Sequence, residues 1–421
     1  MLVQIHPTSL SGSVKAIASK SAAHRLLICA AFADAPTEIL CEELNRDIEA
    51  TVSCLCALGA NIKREGSVFF VTPVQNIPKE AVLPCGESGS TMRFLVPVAA
   101  ALGVNASFQM EGRLPLRPLS PLREELEAHG IRFSEAGSNP LRMEGTLAGH
   151  AFSIAGNVSS QFISGLLFAL SLRSEPSELT VIGRVESAPY LDLTADALAA
   201  FSAAPHLEDN RYTVQNGGRL ISPSHIAVEG DWSNAAFPMA AGAIGDRPVT
   251  VFGLKADSHQ GDRAIVDLLR QFGASVTEEN GAYTVSPAPL HGITIDASQI
   301  PDMVPILSVI ASVAQGVTAI SGASRLRIKE SDRLVAICQT MGALGADVTE
   351  TEDGLVIHGK PGLKGGCVSS FNDHRIAMSA AIAASVCEKP VVLEGAEATA
   401  KSYPGFFRDL TALGARITEP S

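Results

Sequence analysis

The chain has 421 residues, more than one ordinary hydrophobic core organises, so two large domains are expected. Hydrophobic residues make up 46% of it and mean hydropathy is +0.21, yet no apolar run approaches the roughly 20 residues that a membrane-spanning helix needs. A formal charge of −12 with 5% aromatic residues offers neither the basic footprint nor the stacking rings of a nucleic-acid binder, so an anionic ligand must find its cations gathered locally.

The opening stretch "MLVQIHPTSLSGSVK" lacks a basic region followed by an apolar one, which makes a cytoplasmic location the expectation. Next comes "SKSAAHRLLICAAFAD", apolar on all sides after its first turn, and then "DIEATVSCLCALG", amphipathic and closed by glycine. The same couple returns as "GESGSTMRFLVPVAAALG" with "PLREELEAHG". A third couple is "NVSSQFISGLLFALSL" with a degenerate ending near "FSAAPHL", and a fourth is "DWSNAAFPMAAGAIG" with "GDRAIVDLLRQFG". "PDMVPILSVIASVAQG" and "FNDHRIAMSAAIAASV" open the last two, which close at "LGADV" and "LGARI". The closing glycines Gly59, Gly130, Gly273, Gly345 and Gly414 lie 71, 143, 72 and 69 residues apart, and 143 is two periods. Each glycine followed by a β-branched or apolar stretch reads as helix, C-cap, strand. Six units of about seventy residues follow, each of the form βαβαββ. A helix apolar all round is buried, so three such helices are expected to form the core of each of two domains. The eight cysteines show no paired spacing of a zinc site and read as reduced thiols.

Polar residues of the buried helices concentrate at their N-termini, where unpaired N–H groups and the positive dipole end sit. They are Lys20, Ser21 and Arg25; Glu87 to Thr91 with Arg93; Ser159, Ser160 and Gln161; Asp302; and Asn372, Asp373, His374 and Arg375. Capping accounts for the serines and aspartates. It leaves Arg25, Arg93 and Arg375 unexplained, because a cation carried into a buried helix needs an anionic partner. Helix starts pointing one way in two facing domains would line an anion-attracting cleft. Three stretches are compatible with two readings each. "GESGST" is a plain turn or a close backbone approach to an anion, and it lacks the Lys-Ser/Thr ending of a P-loop. "GRLPLRPL" is an exposed loop or a two-arginine clamp of Arg113 and Arg117. "RLRIKESDRL", with four basic and two acidic residues in ten, is a solvated helix start or a site needing both signs of charge.

In this order the pieces resemble the 5-enolpyruvylshikimate-3-phosphate synthase family of enolpyruvyl transferases. "SKSAAHR", "GESGSTMRF", "GRLPLRPL", "SSQFISGLL", "PDMVPILSVIA", "RIKESDRL", "NDHRIAMS" and "AKSYPGFF" look like its landmarks, in register along essentially the whole chain. The resemblance implies a mixed α/β (α+β) fold, a two-domain inside-out barrel with three βαβαββ repeats per domain and buried parallel helices whose N-termini face the interdomain cleft. It implies a shikimate-3-phosphate-binding domain over 14–225 and a second domain over 226–421 completed by a strand from 1–13. The implied reaction moves the enolpyruvyl group of phosphoenolpyruvate to the 5-hydroxyl of shikimate 3-phosphate by addition and elimination, releasing phosphate, in the shikimate pathway. No cofactor or metal is implied, the partners are the two substrates, and a monomer is expected.

Carried over position by position, the resemblance assigns Lys20, Ser21, Arg25, Ser159, Ser160, Gln161, Ser187, Tyr190, Asp302 and Lys329 to shikimate 3-phosphate. It assigns Lys20, Gly89, Arg113, Gln161, Arg333, Arg375 and Lys401 to phosphoenolpyruvate, and Asp302, Glu330 and Lys20 to proton handling. Asp332 is read as a helix cap or an orienter of a neighbouring cation. Glu87, Ser90 and Phe94 depart from the "GNAGTAMRP" of many members, which leaves sensitivity to the inhibitor glyphosate open. Arg325 stands where several members have asparagine, and Trp232 replaces a small residue. The nearest rival is UDP-N-acetylglucosamine enolpyruvyl transferase, which usually carries a cysteine in its arginine loop, and Glu111 to Pro118 contains none. A non-enzymatic phospholigand-binding repeat scaffold is the other alternative, against which the carboxylates among the cations argue.

Overall fold

Six helices are buried around nearly their whole circumference: Lys20–Ala31, Gly89–Ala101, Ser160–Ser171, Trp232–Ile244, Val304–Val313 and His374–Ala383. Their Ala-, Leu-, Ile- and Val-rich sequences leave no polar face to turn to water, so they form the interior. This computed structural model describes residues 1–215 and 219–419. The chain divides into two compact units, Ala18–Val228 and Met1–Ile17 with Glu229–Ser421. Each unit has its own core, three of the six helices in each.

The outer helices end as their sequences direct. Gly59, Gly130, Gly273, Gly345 and Gly414 all have φ between +93° and +108°, the left-handed conformation that glycine adopts without a Cβ penalty. At the first, Gly59 N–H bonds the Cys56 carbonyl and Ala60 N–H the Leu55 carbonyl, so two orphan carbonyls of the helix end are satisfied. The degenerate copy keeps this geometry without glycine. Ser202 has φ +59°, its N–H reaches the Ala199 carbonyl, and Ala203 N–H reaches that of Leu198.

Among the described residues the strands form six four-stranded sheets of one pattern. In one of them Glu80–Gly86 runs parallel to Asn105–Met110, which pairs antiparallel with Leu141–Glu144, and Arg132–Phe133 completes the edge. Ala81, Leu83 and Cys85 alternate inward along its first strand, the period of two that lays one sheet face on the core. Three closing strands come from distant sequence. His225–Ala227 runs parallel to Thr37–Leu40, and Gly12–Lys15 runs parallel to Val249–Phe252. Leu2–His6 lies antiparallel between Val391–Glu394 and Arg416–Thr418.

Close helix contact sets up the functional region. A Cβ on Gly165 would lie 2.5 Å from the Arg93 carbonyl and 2.8 Å from Pro97, so only glycine lets the Ser160–Ser171 helix approach the Gly89–Ala101 helix this far. Trp232 also finds its role here. It is fully buried, donates from Nε1 to the Lys255 carbonyl at 3.2 Å, and meets the Tyr283 ring edge-on at 4.9 Å. It fills core volume and satisfies its one polar atom.

Ser202→Gly removes the Cβ penalty at a left-handed position and is expected to stabilise the protein by about 1 kcal/mol, read as a higher urea midpoint. A midpoint that stays or falls removes the strain argument.

Candidate active site

In the unit Ala18–Val228 the chemistry gathers where helices begin. Ser19 caps Lys20–Ala31 by accepting from Ala22 N–H, and Lys20, the first helical residue, reaches Asp47 Oδ2 at 2.8 Å. Asp47 stands in the opening turn of Arg46–Ala57, which Asn45 caps. Both members of the ion pair are largely buried. A chain of side-chain hydrogen bonds ties these starts to a third. His24 Nδ1 and Thr51 Oγ1 are 2.7 Å apart, Thr51 Oγ1 and Thr91 Oγ1 2.6 Å, and Thr91 Oγ1 donates to Ser88 Oγ at 2.7 Å. Ser88 is the N-cap of Gly89–Ala101. The direction follows from burial. His24 Nε2 is enclosed without a partner, and a bare ring nitrogen there costs less than a stranded N–H, so Nδ1 carries the proton.

Arg25 is 2% exposed, and the hydrogen bonds to its guanidinium involve only neutral acceptors. Nη1 donates to the Ser21 carbonyl at 2.7 Å, Nη2 to the Tyr190 carbonyl at 2.8 Å and Nε to Thr194 Oγ1 at 2.9 Å. Its charged carbon lies 5.1 Å from the Phe94 ring centroid and 5.9 Å from that of Tyr190. Burial lowers its pKa to about 10, outweighing the opposing influence of Tyr190 and Cys29. Arg93 donates to Gln161 Oε1 at 2.8 Å, and Gln161 Nε2 donates to Ser90 Oγ at 2.8 Å, joining two helix starts. Ser159 caps the Ser160–Ser171 helix, Ser160 is buried behind it, and Ser187 is buried at φ +56° just ahead of Tyr190.

The two arginines of "GRLPLRPL" part company. The Arg117 guanidinium covers Gly89, where a Cβ would come within 2.6 Å of Nη1. Arg113 is exposed at the start of the 3-10 turn Leu114–Leu116. The proline-containing turn directs the two side chains differently, Arg117 toward Gly89 and Arg113 toward solvent. Glu87 packs on Gly112, whose φ of +55° and lack of Cβ admit the carboxyl.

In the other unit a single buried guanidinium organises three carboxylates. Arg333 is 1% exposed and donates to Asp302 Oδ1 at 2.8 Å, Glu330 Oε2 at 2.7 Å and Asp373 Oδ2 at 2.7 Å. Burial alone would lower its pKa, but Asp373, Glu330 and Asp302 outweigh it and hold it above the ordinary arginine value. Asp302, in the 3-10 turn Pro301–Met303, also accepts from Lys329 at 3.3 Å and from Arg375 Nη2 at 3.2 Å. Burial pushes its carboxyl up, and Arg375, Lys329 and Arg333 together drive it well below the usual carboxylate range. Asp373 caps the helix that carries Arg375, and Asp332 caps Arg333–Ala343 by accepting from Val335 N–H. Lys401 is buried at the end of the 3-10 turn Ala396–Lys401.

The outer residues of "RLRIKESDRL" have structural work. Arg327 donates to the carbonyls of Glu352 and Thr351 and pairs with Asp332 and Glu350. Arg325 donates to the Ser298 carbonyl at 2.8 Å. Sequence reasoning overlooked Asp47 and Thr51, whose side chains look like ordinary helix residues; an acid in the first turn of the second helix was the one available signal for Asp47. Among the described residues no group of three His, Cys, Asp or Glu side chains is disposed to hold a metal ion, and no helix is long and apolar enough to cross a membrane.

These pieces can bind anions at buried cations and move protons at carboxylates. Comparison with known proteins points the same way. A family model described as EPSP synthase (3-phosphoshikimate 1-carboxyvinyltransferase) matches residues 5–410. The 3-phosphoshikimate 1-carboxyvinyltransferase of Clostridium kluyveri is 42% identical over 419 residues, 99% of this chain and 98% of that protein. That of Clostridium acetobutylicum is 40% identical over 423 residues, again 99% and 98%. Among solved structures, EPSP synthase from Acinetobacter baumannii superposes with TM-score 0.83 at 25% identity, covering 100% of both chains. The enolpyruvyl transferase NikO from Streptomyces tendae shares the fold, with TM-score 0.79 at 19% identity over 99% of this chain and 98% of that one.

Burial lowers the pKa of His24 to about 3 from its ordinary 6.5, with Asp47 opposing and Lys20 and Arg25 assisting. The unfolded chain therefore binds the extra proton between those values. Stability is full above pH 6.5 and is lost as pH falls toward 3, by about 5 kcal/mol in all. His24→Asn is expected to flatten this limb when urea midpoints are compared from pH 4 to 7; parallel limbs in the two proteins would contradict a neutral buried imidazole.

Proposed function

We propose that this chain, which belongs to the EPSP synthase (3-phosphoshikimate 1-carboxyvinyltransferase) family, works through two inventories, one in each unit. The reaction transfers the enolpyruvyl group of phosphoenolpyruvate to the 5-hydroxyl of shikimate 3-phosphate and releases phosphate. The observation that carries the mechanistic reading is the knot of Asp302, Glu330 and Asp373 with Lys329, Arg333 and Arg375, both signs of charge held together and mostly buried. Adding a hydroxyl to an enol ether requires a proton delivered to the methylene carbon and one taken from the hydroxyl; elimination requires the reverse pair.

Asp302 is the base toward the 5-hydroxyl. In the substrate-free protein its three cations keep it ionised but a weak base. Phosphoenolpyruvate, held also by Lys401, competes for Arg333 and Arg375, which loosens their hold on Asp302 and raises its basicity when a proton must be taken. Glu330 with Lys20 donates protons to the methylene or to the leaving phosphate. Shikimate 3-phosphate takes Ser21, Arg25, Ser159, Ser160, Gln161, Ser187 and Lys329, with Tyr190 packed on its ring. Arg25 supports this assignment, since a buried guanidinium with neutral partners gains most from an arriving dianion. Toward phosphoenolpyruvate, Gly89 and Gln161 are joined by Arg117, with Arg113 at the rim of the same loop. Arginines on carboxylate and phosphate stabilise the charge that builds in the addition step.

The test is phosphate release on mixing the protein with phosphoenolpyruvate and either shikimate 3-phosphate or UDP-N-acetylglucosamine. Release with the shikimate acceptor alone is expected, and release only with the sugar nucleotide overturns the reading. Steady-state kinetics then separate the roles. Asp302→Asn or Glu330→Gln should lower kcat roughly 100-fold or more with KM little changed. Arg117→Ala should raise KM for phosphoenolpyruvate by about tenfold or more and exceed the effect of Arg113→Ala. Near wild-type turnover in the carboxylate variants, or the reverse order for the arginines, contradicts the assignments.

A further inference from the structure

One buried carboxyl of the Asp302 unit has no part in the chemistry above. Asp262 lies in the 3-10 turn Gly261–Ala264 and is 2% exposed. It accepts a hydrogen bond from the hydroxyl of Ser233, the second residue of the buried Trp232–Ile244 helix. Ser233 Oγ in turn receives Nη2 of Arg375 at 3.2 Å. The same guanidinium donates to Asp302 twice, from Nη2 to Oδ2 at 3.2 Å and from Nη1 to the main-chain carbonyl at 3.0 Å. Arg375 is thus held between a carboxylate on one side and, on the other, a hydroxyl whose proton is already committed.

We propose that Ser233 and Asp262 form a positioning pair for Arg375. Asp262 takes the Ser233 proton, so the hydroxyl can turn only lone pairs toward the guanidinium, and this fixes the edge that Arg375 presents to an anionic substrate. The proposal rests on the reading that Arg375 binds phosphoenolpyruvate. Left alone, a serine hydroxyl rotates and donates to whichever acceptor lies nearby. A carboxylate acceptor removes that freedom.

The charged groups facing Asp262 are Arg375, Asp302, Asp231, which caps the Trp232–Ile244 helix, and Lys329. Burial pushes its carboxyl up to about 7; Asp302 and Asp231 add to this, while Arg375 and Lys329 oppose it. Protonated Asp262 can itself donate to Ser233 Oγ and compete with Arg375, so the positioning strengthens as pH rises through neutrality. Stability runs the other way. A carboxyl whose folded pKa is raised contributes stability below its unfolded value and loses it as pH rises through about 7. The ion is therefore a cost to the fold at pH 8, and Asp262→Asn should fold at least as tightly there.

The experiment compares wild type with Asp262→Asn, Ser233→Ala and the double variant. KM for phosphoenolpyruvate is expected to rise roughly tenfold in each single variant with kcat within about threefold, and the double variant to be no worse than the worse single one. KM for shikimate 3-phosphate should stay unchanged. The fall of this KM through neutral pH that Asp262 contributes in wild type should be absent from Asp262→Asn, whose own substrate-dependent titration serves as the reference. The Tm of Asp262→Asn at pH 8 should equal or exceed that of wild type. Unchanged KM values and pH profiles overturn the proposal, as does a joint loss of kcat, both KM values and Tm. If wild type itself releases no phosphate, the reading of the reaction fails, and crystal structures of wild type and Asp262→Asn still decide the positioning. An Arg375 side chain in the same place in both would then refute it.

Discussion

A guanidinium that is 1% exposed must meet enough negative charge to replace its water, and Arg333 meets three carboxylates. They arrive from separate places in the sequence: Asp302 from the turn ahead of one buried helix, Asp373 from the N-cap of another, and Glu330 from the loop just before Arg333 itself. The ion cluster therefore fixes how two buried helices and one outer helix start relative to each other within that unit. Removing any one carboxylate leaves surplus cation, and removing Arg333 strips the buried Asp373 of its guanidinium while Asp302 keeps Lys329 and Arg375. Each member thus depends on the others, which is why the cluster keeps one arrangement.

The other unit solves the same problem with neutral groups. Arg25 is as buried as Arg333, but carbonyls, a threonine hydroxyl and two aromatic faces surround it. Such a cation is satisfied in hydrogen bonds and unsatisfied in charge. The hydroxyl chain from His24 through Thr51 and Thr91 to Ser88 does by geometry what the ion cluster does by charge, joining helix starts in one direction of proton donation. Arg25 is thus a cation held by neutral groups, and Arg333 one held by carboxylates, a balance that an arriving anion can upset.

Much of this was legible in the sequence, for specific reasons. Glycine at the left-handed end of each outer helix is a residue-type signal, so five of six repeats announced themselves, and the sixth hid only because Ser202 adopts the same backbone without it. All-apolar helices with polar first turns marked both the core and the chemistry. What stayed hidden depended on direction rather than identity. Spacing cannot say which of Arg113 and Arg117 turns toward Gly89 across a proline-containing turn. The Ser233 and Asp262 contact joins residues 29 apart whose local contexts both read as helix openings. Trp232 fell outside any pattern because its partners, the Lys255 carbonyl and Tyr283, lie on other segments.

The closing strands bear on how the chain comes to be built. Ala18–Val228 is continuous, and its last strand, His225–Ala227, returns to pair with Thr37–Leu40, so this unit can complete itself as soon as that strand has left the ribosome. The other unit cannot. Gly12–Lys15 waits for Val249–Phe252, and Leu2–His6 waits for two strands near the opposite end, Leu2 pairing with Glu394 and His6 with Arg416. Leu2–His6 precedes the rest of its unit yet is the last of its strands to find partners, a topology of high contact order in which it stays unpaired until residues 391–418 are made. Leu2–His6 carries a histidine and a glutamine among its apolar residues, which limits its appetite for stray sheet edges during that wait.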